Sequence, residues 1–110
     1  MIKKYFLLLL AAILLTGVHG QNRQVDLSQN IPLQDILKKA KKQKKHVLLD
    51  FGSPRCSPCL FIKNKIFTID SVADFINERF VSVDYTEGPE KKRLSKIYEV
   101  YTEPVLLICD

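Results

Sequence analysis

The stretch DFGSPRCSPCLF, Asp50 to Phe61, decides how the rest of the chain is read. Its first two residues close the run HVLLDF, His46–Phe51, which is short, largely apolar and β-compatible. Such a run predicts a strand buried on both faces. The segment GSPR, Gly52 to Arg55, breaks it. From Cys56 the sequence CSPCLFIKNKIF has helical length, with Leu60, Phe61 and Ile66 among its apolar positions. Pro58 fits that helix because it falls in the first turn, where its missing N–H would have no partner. Two of the three cysteines, Cys56 and Cys59, thus open a helix directly after a buried strand.

Three readings compete for this pair. As a staple it is poor, because a bridge between residues three apart closes a very small ring and constrains little of the unfolded chain. As a structural metal site it lacks ligands. Zinc needs four, and beyond the pair only Cys109, His46 and scattered acids remain, with no second close pair. A covalent haem is excluded, because Leu60 rather than histidine follows the second cysteine. No metal and no cofactor is therefore expected. As a redox centre the pair is well placed. A helix N-terminus presents unpaired N–H groups and a partial positive charge, which favour thiolate over thiol. Arg55 adds a formal charge beside it. Such surroundings lower a cysteine pKa from ~8.5 into the range ~3.5–7.5. On this reading Cys56 is the nucleophile. Cys59, one turn on, resolves a mixed disulfide, and Pro58 fixes the backbone between them.

Downstream, SVADFINERF carries Val72, Phe75, Ile76 and Phe80 at helical spacing, with Asp70 or Ser71 as its cap. FVSVDY, Phe80 to Tyr85, alternates and predicts a second strand. EGPEKK turns into a charged helix near Glu90 to Val100, which Glu103-Pro104 ends, and Val105 to Cys109 is a third apolar strand. Cys109 reads as a small apolar core residue, His46 as a strand opener, and Tyr98 and Tyr101 as packing residues. Upstream, Ile31 to Gln43 is helical in pattern, with Pro32 in its first turn. Six lysines between Lys38 and Lys45 read as its solvated face, opposite Ile36, Leu37 and Ala40. No aromatic residue interleaves with them, so no nucleic-acid partner is expected. Strands alternating with helices predict an α/β fold with parallel crossovers.

The N-terminal end has a different character. Two lysines precede an eleven-residue apolar run, Tyr5 to Leu15, and TGVHG follows with small or apolar residues at Val18 and Gly20. That order predicts a signal peptide over residues 1–20, cleaved after Gly20. Eleven residues fall short of the ~20 that cross a bilayer as a helix. Cleavage removes Lys3 and Lys4 and takes the formal charge from +5 to +3. Residues 21–30, QNRQVDLSQN, are expected to be a loose polar lead-in to one domain over 31–110. The expected location is the periplasm or the exterior, where disulfides persist.

The chain resembles the thioredoxin superfamily over about residues 31–110. CSPC follows a strand, Asp50 stands six residues before Cys56, and Pro104 lies in VYTEPVLLICD. KKQKKHVLLDF and IFTIDSVADFINERFVSVDY look especially like exported bacterial thioredoxin-like domains, including the terminal domain of the membrane electron-transfer protein that feeds periplasmic reductases. The resemblance implies an α/β three-layer sandwich. It implies that Asp50 is a buried acid relaying a proton to or from Cys59, and that Pro104 is a cis-proline shaping a peptide groove. It implies protein thiols and disulfides as substrates and a membrane or periplasmic electron donor. Arg55 stands where the family has tryptophan, Glu103 precedes the proline where an apolar residue or threonine is usual, and Leu60 replaces a frequent lysine. Arg55 and Glu103 would then join Pro104 in contacting substrate, with opposite charges acting on Cys56. Relative to the family the last strand and helix are missing, so either the chain is a fragment, which is the expected reading, or the strand at Val105 is left as an open edge with an uncovered apolar face. The expected function is an exported thiol–disulfide oxidoreductase. The alternative is a non-catalytic binding or metal-handling module of the same fold.

Overall fold

A computed structural model describes residues 23–110, so the leader expected over residues 1–20 lies outside the described residues. The elements are β1 (Leu27–Gln29), α1 (Leu33–Gln43), β2 (His46–Phe51) and α2 (Ser57–Phe61), which continues into a π-helical segment, Ile62–Ile66. Then come α3 (Asp70–Arg79), β3 (Phe80–Tyr85), α4 (Pro89–Ile97) and β4 (Val105–Cys109). The sheet order is β1-β3-β2-β4. β1 and β2 both pair parallel with β3, and β4 pairs antiparallel with β2.

Strand alternation divides the core into two layers. Val47, Leu49 and Phe51 of β2 and Val81, Val83 and Tyr85 of β3 pack against Leu33, Ile36 and Ala40 of α1 and Leu94 of α4. Leu48 of β2 and Phe80 of β3 point the other way, among Phe67, Val72, Ala73 and Ile76. Helices on both faces of a sheet make the three-layer α/β sandwich that the resemblance implies. Burial of both faces of β2 is what its unbroken apolar run required, and Asp50 is the exception that needs a reason. Gly88 enters α4 with φ at 95°, a left-handed conformation in which a side chain would be strained. The N–H of Leu33 at the start of α1 donates to Glu90 Oε1 at 3.1 Å, so a side chain of α4 caps α1 across the layer.

Several expectations are corrected. The segment before residue 31 is not loose. β1 is there, Val25 is buried, and the N–H of Val25 donates to the Phe67 carbonyl at 2.9 Å. Asn77 holds it from α3, accepting from Asp26 N–H and donating to the Gln24 carbonyl, both at 2.9 Å. A three-residue strand tied by backbone and asparagine bonds leaves almost no hydrophobic period to read. The crossover into β4 is not parallel either. The loop after α4, through left-handed Glu99, returns the chain to the cysteine end of the sheet, so that Val105 pairs with Phe51. The N-cap of α3 is Ile69, with Asp70 and Ser71 already helical. Phe75, at the helical spacing of a core residue, is 53% exposed, and Leu37 and Tyr101 are exposed as well. The lysines of α1 are exposed, whereas Lys45, just beyond the helix, donates to the Asn77 carbonyl at 2.6 Å.

The outer edge of β4 is unpaired among the described residues. Leu106 and Ile108 are 44% and 65% exposed there. With Leu48, Val72, Phe75 and Ile76 they line an apolar groove of about 470 Å³.

Candidate active site

Cys56 and Cys59 form a disulfide with the sulfurs 2.06 Å apart. Cys56 is the N-cap of α2, with extended backbone at φ −85° and ψ 103°. Its Sγ accepts the N–H of Cys59 at 3.2 Å. This is the geometry in which a helix start supports negative charge on sulfur. Pro58 sits in the first turn without disturbing it. Cys56 is partly exposed whereas Cys59 is buried, so the first sulfur is open to solvent and the second lies inside, against Gly52.

What lies beneath Cys59 is Gly52, which the sequence marks only as part of the break after the strand. A Cβ at position 52 would stand 3.1 Å from Cys59 Sγ and 3.2 Å from its Cβ. The absent side chain therefore makes room for the buried sulfur. Gly52→Ala is expected to destabilise the oxidised protein by about 1–2 kcal/mol, in the range for overpacking a close contact. Urea unfolding of the two oxidised proteins measures it, and equal stabilities would mean that Cys59 moves aside freely.

Asp50 is 3% exposed, and strand alternation turns it, like Leu48, towards the α2–α3 layer. Its in-register neighbour on β3 is Asp84, which is equally buried. Lys63, from the π-helical segment, forms an ion pair with Asp84 Oδ2. Burial pushes the Asp50 carboxyl up to about 6, the neighbouring Asp84 carboxylate pushes the same way, and Lys63 partly opposes both. Neither Asp84 nor Lys63 stood out in the sequence. Alternation in FVSVDY groups Asp84 with Ser82 on the face opposite Val81, Val83 and Tyr85, the polar side of the pattern, so its burial left no signal in the sequence.

Pro104 follows a cis peptide bond from Glu103, as the resemblance implied. Glu103 does not stand free to oppose Cys56. Lys91 Nζ donates to its Oε1 at 2.5 Å. Hydrogen bonds from Lys91 and then Ser53 hold its carboxyl below the usual range. Through Ser53, whose carbonyl accepts the N–H of Cys56 at 3.2 Å, Glu103 is tied to the loop that carries the cysteines. Arg55 is exposed on that loop. Cys109 is a free thiol. It packs with the α1–α4 layer and pairs in register with Val47, at the far end of β2 from Cys59. Among the described residues no three His, Cys, Asp or Glu side chains gather as a metal site.

This constellation can be set beside known proteins. Residues 33–110 match the family described as Thioredoxin-like domain. A candidate disulphide-isomerase from Bacteroides thetaiotaomicron is 28% identical, with a TM-score of 0.69, over 81% of this chain and 74% of that one. A thioredoxin from Thermus thermophilus is 23% identical, with a TM-score of 0.64, over 74% of this chain. The match spans 63% of the Thermus protein, less than two thirds of its length. Spinach chloroplast thioredoxin f has a TM-score of 0.57 at 18% identity, over 84% of this chain and 78% of its own. No curated protein matches the sequence significantly.

Proposed function

Because the chain belongs to the thioredoxin-like domain family, we propose that it is a thiol–disulfide oxidoreductase acting on protein disulfides and thiols through Cys56 and Cys59. The observation that carries this reading is the Cys56–Cys59 disulfide at a helix start, with one sulfur reachable and the other buried beside Gly52. In the reducing direction the Cys56 thiolate attacks a substrate disulfide and expels one substrate thiolate. The Cys59 thiol gives its proton to the Asp50 carboxylate. The resulting thiolate attacks Cys56 Sγ and expels the second substrate thiolate. The protein dithiol loses two electrons and the substrate disulfide gains them. Asp50 stands two residues before Gly52, the residue that lies against Cys59 Sγ, roughly 7 Å along the chain. Its carboxyl, raised to about 6, suits a group that both takes and returns a proton near neutrality.

Pro104, Glu103 and Arg55 are assigned to substrate contact. Lys91 takes up the charge of Glu103, so Arg55 and the Cys59 N–H act on the Cys56 thiolate with little opposition. A stabilised thiolate favours the dithiol form and raises the potential. Equilibration with a glutathione buffer is expected to give a value above about −270 mV, on the oxidising side of a thioredoxin. A value at or below that level removes the charge argument. Turnover of insulin disulfides, with dithiothreitol as reductant, tests the function itself. A rate no higher than the dithiothreitol background overturns it. That outcome would favour a non-catalytic binding module, for which the apolar groove of α3 and β4 is the supporting observation.

The leader pattern of residues 1–20 supports export to the periplasm or beyond, with a membrane or periplasmic protein as electron donor. Among the described residues no helix is long and apolar enough to cross a membrane.

A further inference from the structure

The active-site face of the sheet carries two buried carboxylates, and the proposed exchange chemistry uses one. Asp50 and Asp84 are register partners on adjacent parallel strands, about 4.8 Å apart across the ladder, with side chains on the same face. Both are almost wholly shielded from water. Two carboxylates held that close in a buried layer do not both carry charge cheaply. Lys63 breaks the symmetry, because its ion pair is with Asp84 Oδ2 and not with Asp50. The other oxygen, Asp84 Oδ1, is buried without a hydrogen-bond partner among the described residues. An unpartnered buried acceptor is costly, and a protonated Asp50 carboxyl is a donor that would satisfy it.

We propose that Lys63 and Asp84 are positioning residues for acid–base chemistry at Asp50: the ion pair sets Lys63 against Asp84, so that the exchangeable proton resides on Asp50, the carboxyl on the strand that runs into Gly52 and the cysteine loop. The proposal rests on the reading of Asp50 as the proton carrier for Cys59. Every group that faces Asp50 enters the account. β3 supplies Asp84, the π-helical segment Lys63 and α2 Cys59, while the β4 partner is the uncharged Leu106. The direction of the Asp50 shift agrees, with Asp84 raising it and Lys63 lowering it. The π-helical segment that carries Lys63 is a local departure from α-helix of the kind often found at functional sites.

The test reads charge and not turnover. The side-chain carboxyl carbon of Asp50 is followed by NMR in the oxidised full chain from about pH 3 to about pH 9. In Asp84→Asn the Asp50 titration is expected to move down by about one unit, and in Lys63→Met to move up by a similar amount. The double variant Lys63→Met/Asp84→Asn is expected to lie between the two, and it stays interpretable if Lys63→Met alone does not fold. Lys63→Arg, which keeps the charge, should restore the wild-type curve. Opposite displacements support the assignment, because a merely structural role does not give shifts of opposite sign. Displacements of the same sign, or none, overturn it. The pH profile for release of substrate from a mixed disulfide on Cys56 separates this idea from the one beneath it. If the Asp50 titration moves as stated while that profile stays fixed, the pair governs Asp50 and the proton-carrier role of Asp50 is what fails.

Discussion

Cys56→Ser is expected to lower disulfide exchange by roughly a thousandfold or more, the scale of loss when a catalytic nucleophile is removed. Cys59→Ser is expected to fail differently. It should accumulate a mixed disulfide between Cys56 and substrate. The asymmetry follows from position. Cys56 is the partly exposed helix cap whose Sγ accepts the Cys59 N–H, whereas Cys59 is buried against Gly52 and reaches only the sulfur beside it. A serine hydroxyl at position 56 does not ionise near neutrality, so the stabilisation offered by the helix start and Arg55 has nothing to act on. Loss of the disulfide should cost little stability, since the ring it closes is so small. Folded protein should therefore be available for both variants. Cys109→Ser is the control and should keep the wild-type rate. Cys109 lies in the opposite layer and pairs with Val47, at the other end of β2 from the cysteines. Insulin turnover measures all three, and non-reducing gels or mass spectrometry read the trapped adduct. A Cys56→Ser protein with undiminished turnover would sink the assignment, as would trapping by Cys56→Ser in place of Cys59→Ser.

The parts of this site that lie close together in sequence were the readable ones. Strand, break and paired cysteines fall within fourteen residues, His46 to Cys59, and each step is a local signal. Patterning also placed β3, β4 and the helix on either side of β3, because apolar runs, helical spacing or turn residues mark each of them. What stayed hidden depends on contacts between distant residues. Lys63 and Asp84 are separated by 21 positions, and nothing in IKNKI marks which lysine turns inward. Gly52 looked like punctuation, since its function is to be absent where Cys59 Sγ lies. Glu103 appeared as a charge opposing Cys56 until Lys91 was seen to hold it. β1 escaped because three residues carry too little pattern, and its place is fixed by Asn77 and by pairing with β3. Phe75 followed the helical period faithfully and yet is exposed, because that side of α3 faces the open groove beside β4.

Asp50→Asn should make the oxidised protein more stable at neutral pH and leave it nearly unchanged in acid. Asp50 titrates at about 6 when folded against an ordinary value of 3.8, with burial the largest cause. The folded state therefore holds the proton more tightly than the unfolded chain does. The stability this confers is complete below about pH 4 and is lost as pH rises through about 6. A displacement of about two units corresponds to roughly 3 kcal/mol, a substantial part of the 5–15 kcal/mol typical of a whole domain. Asparagine carries no charge at any pH and escapes the loss. Other carboxylates act in the opposite direction. Glu90 and Glu103 are held below the usual range by Arg93 and Lys91, so what they add is present at neutral pH and fades in acid. The decisive quantity is therefore the difference between wild type and variant, from urea unfolding at about pH 3.5 and about pH 7.5. That difference should widen by about 3 kcal/mol in favour of asparagine between the two. A difference independent of pH would mean that Asp50 ionises as freely as a surface acid. The same substitution should slow release of substrate from Cys56, because Cys59 would lose its proton acceptor. Stability gained together with exchange lost is the signature of a buried charge retained for chemistry. Loss of both together would instead mark Asp50 as a structural residue, held in place by its strand.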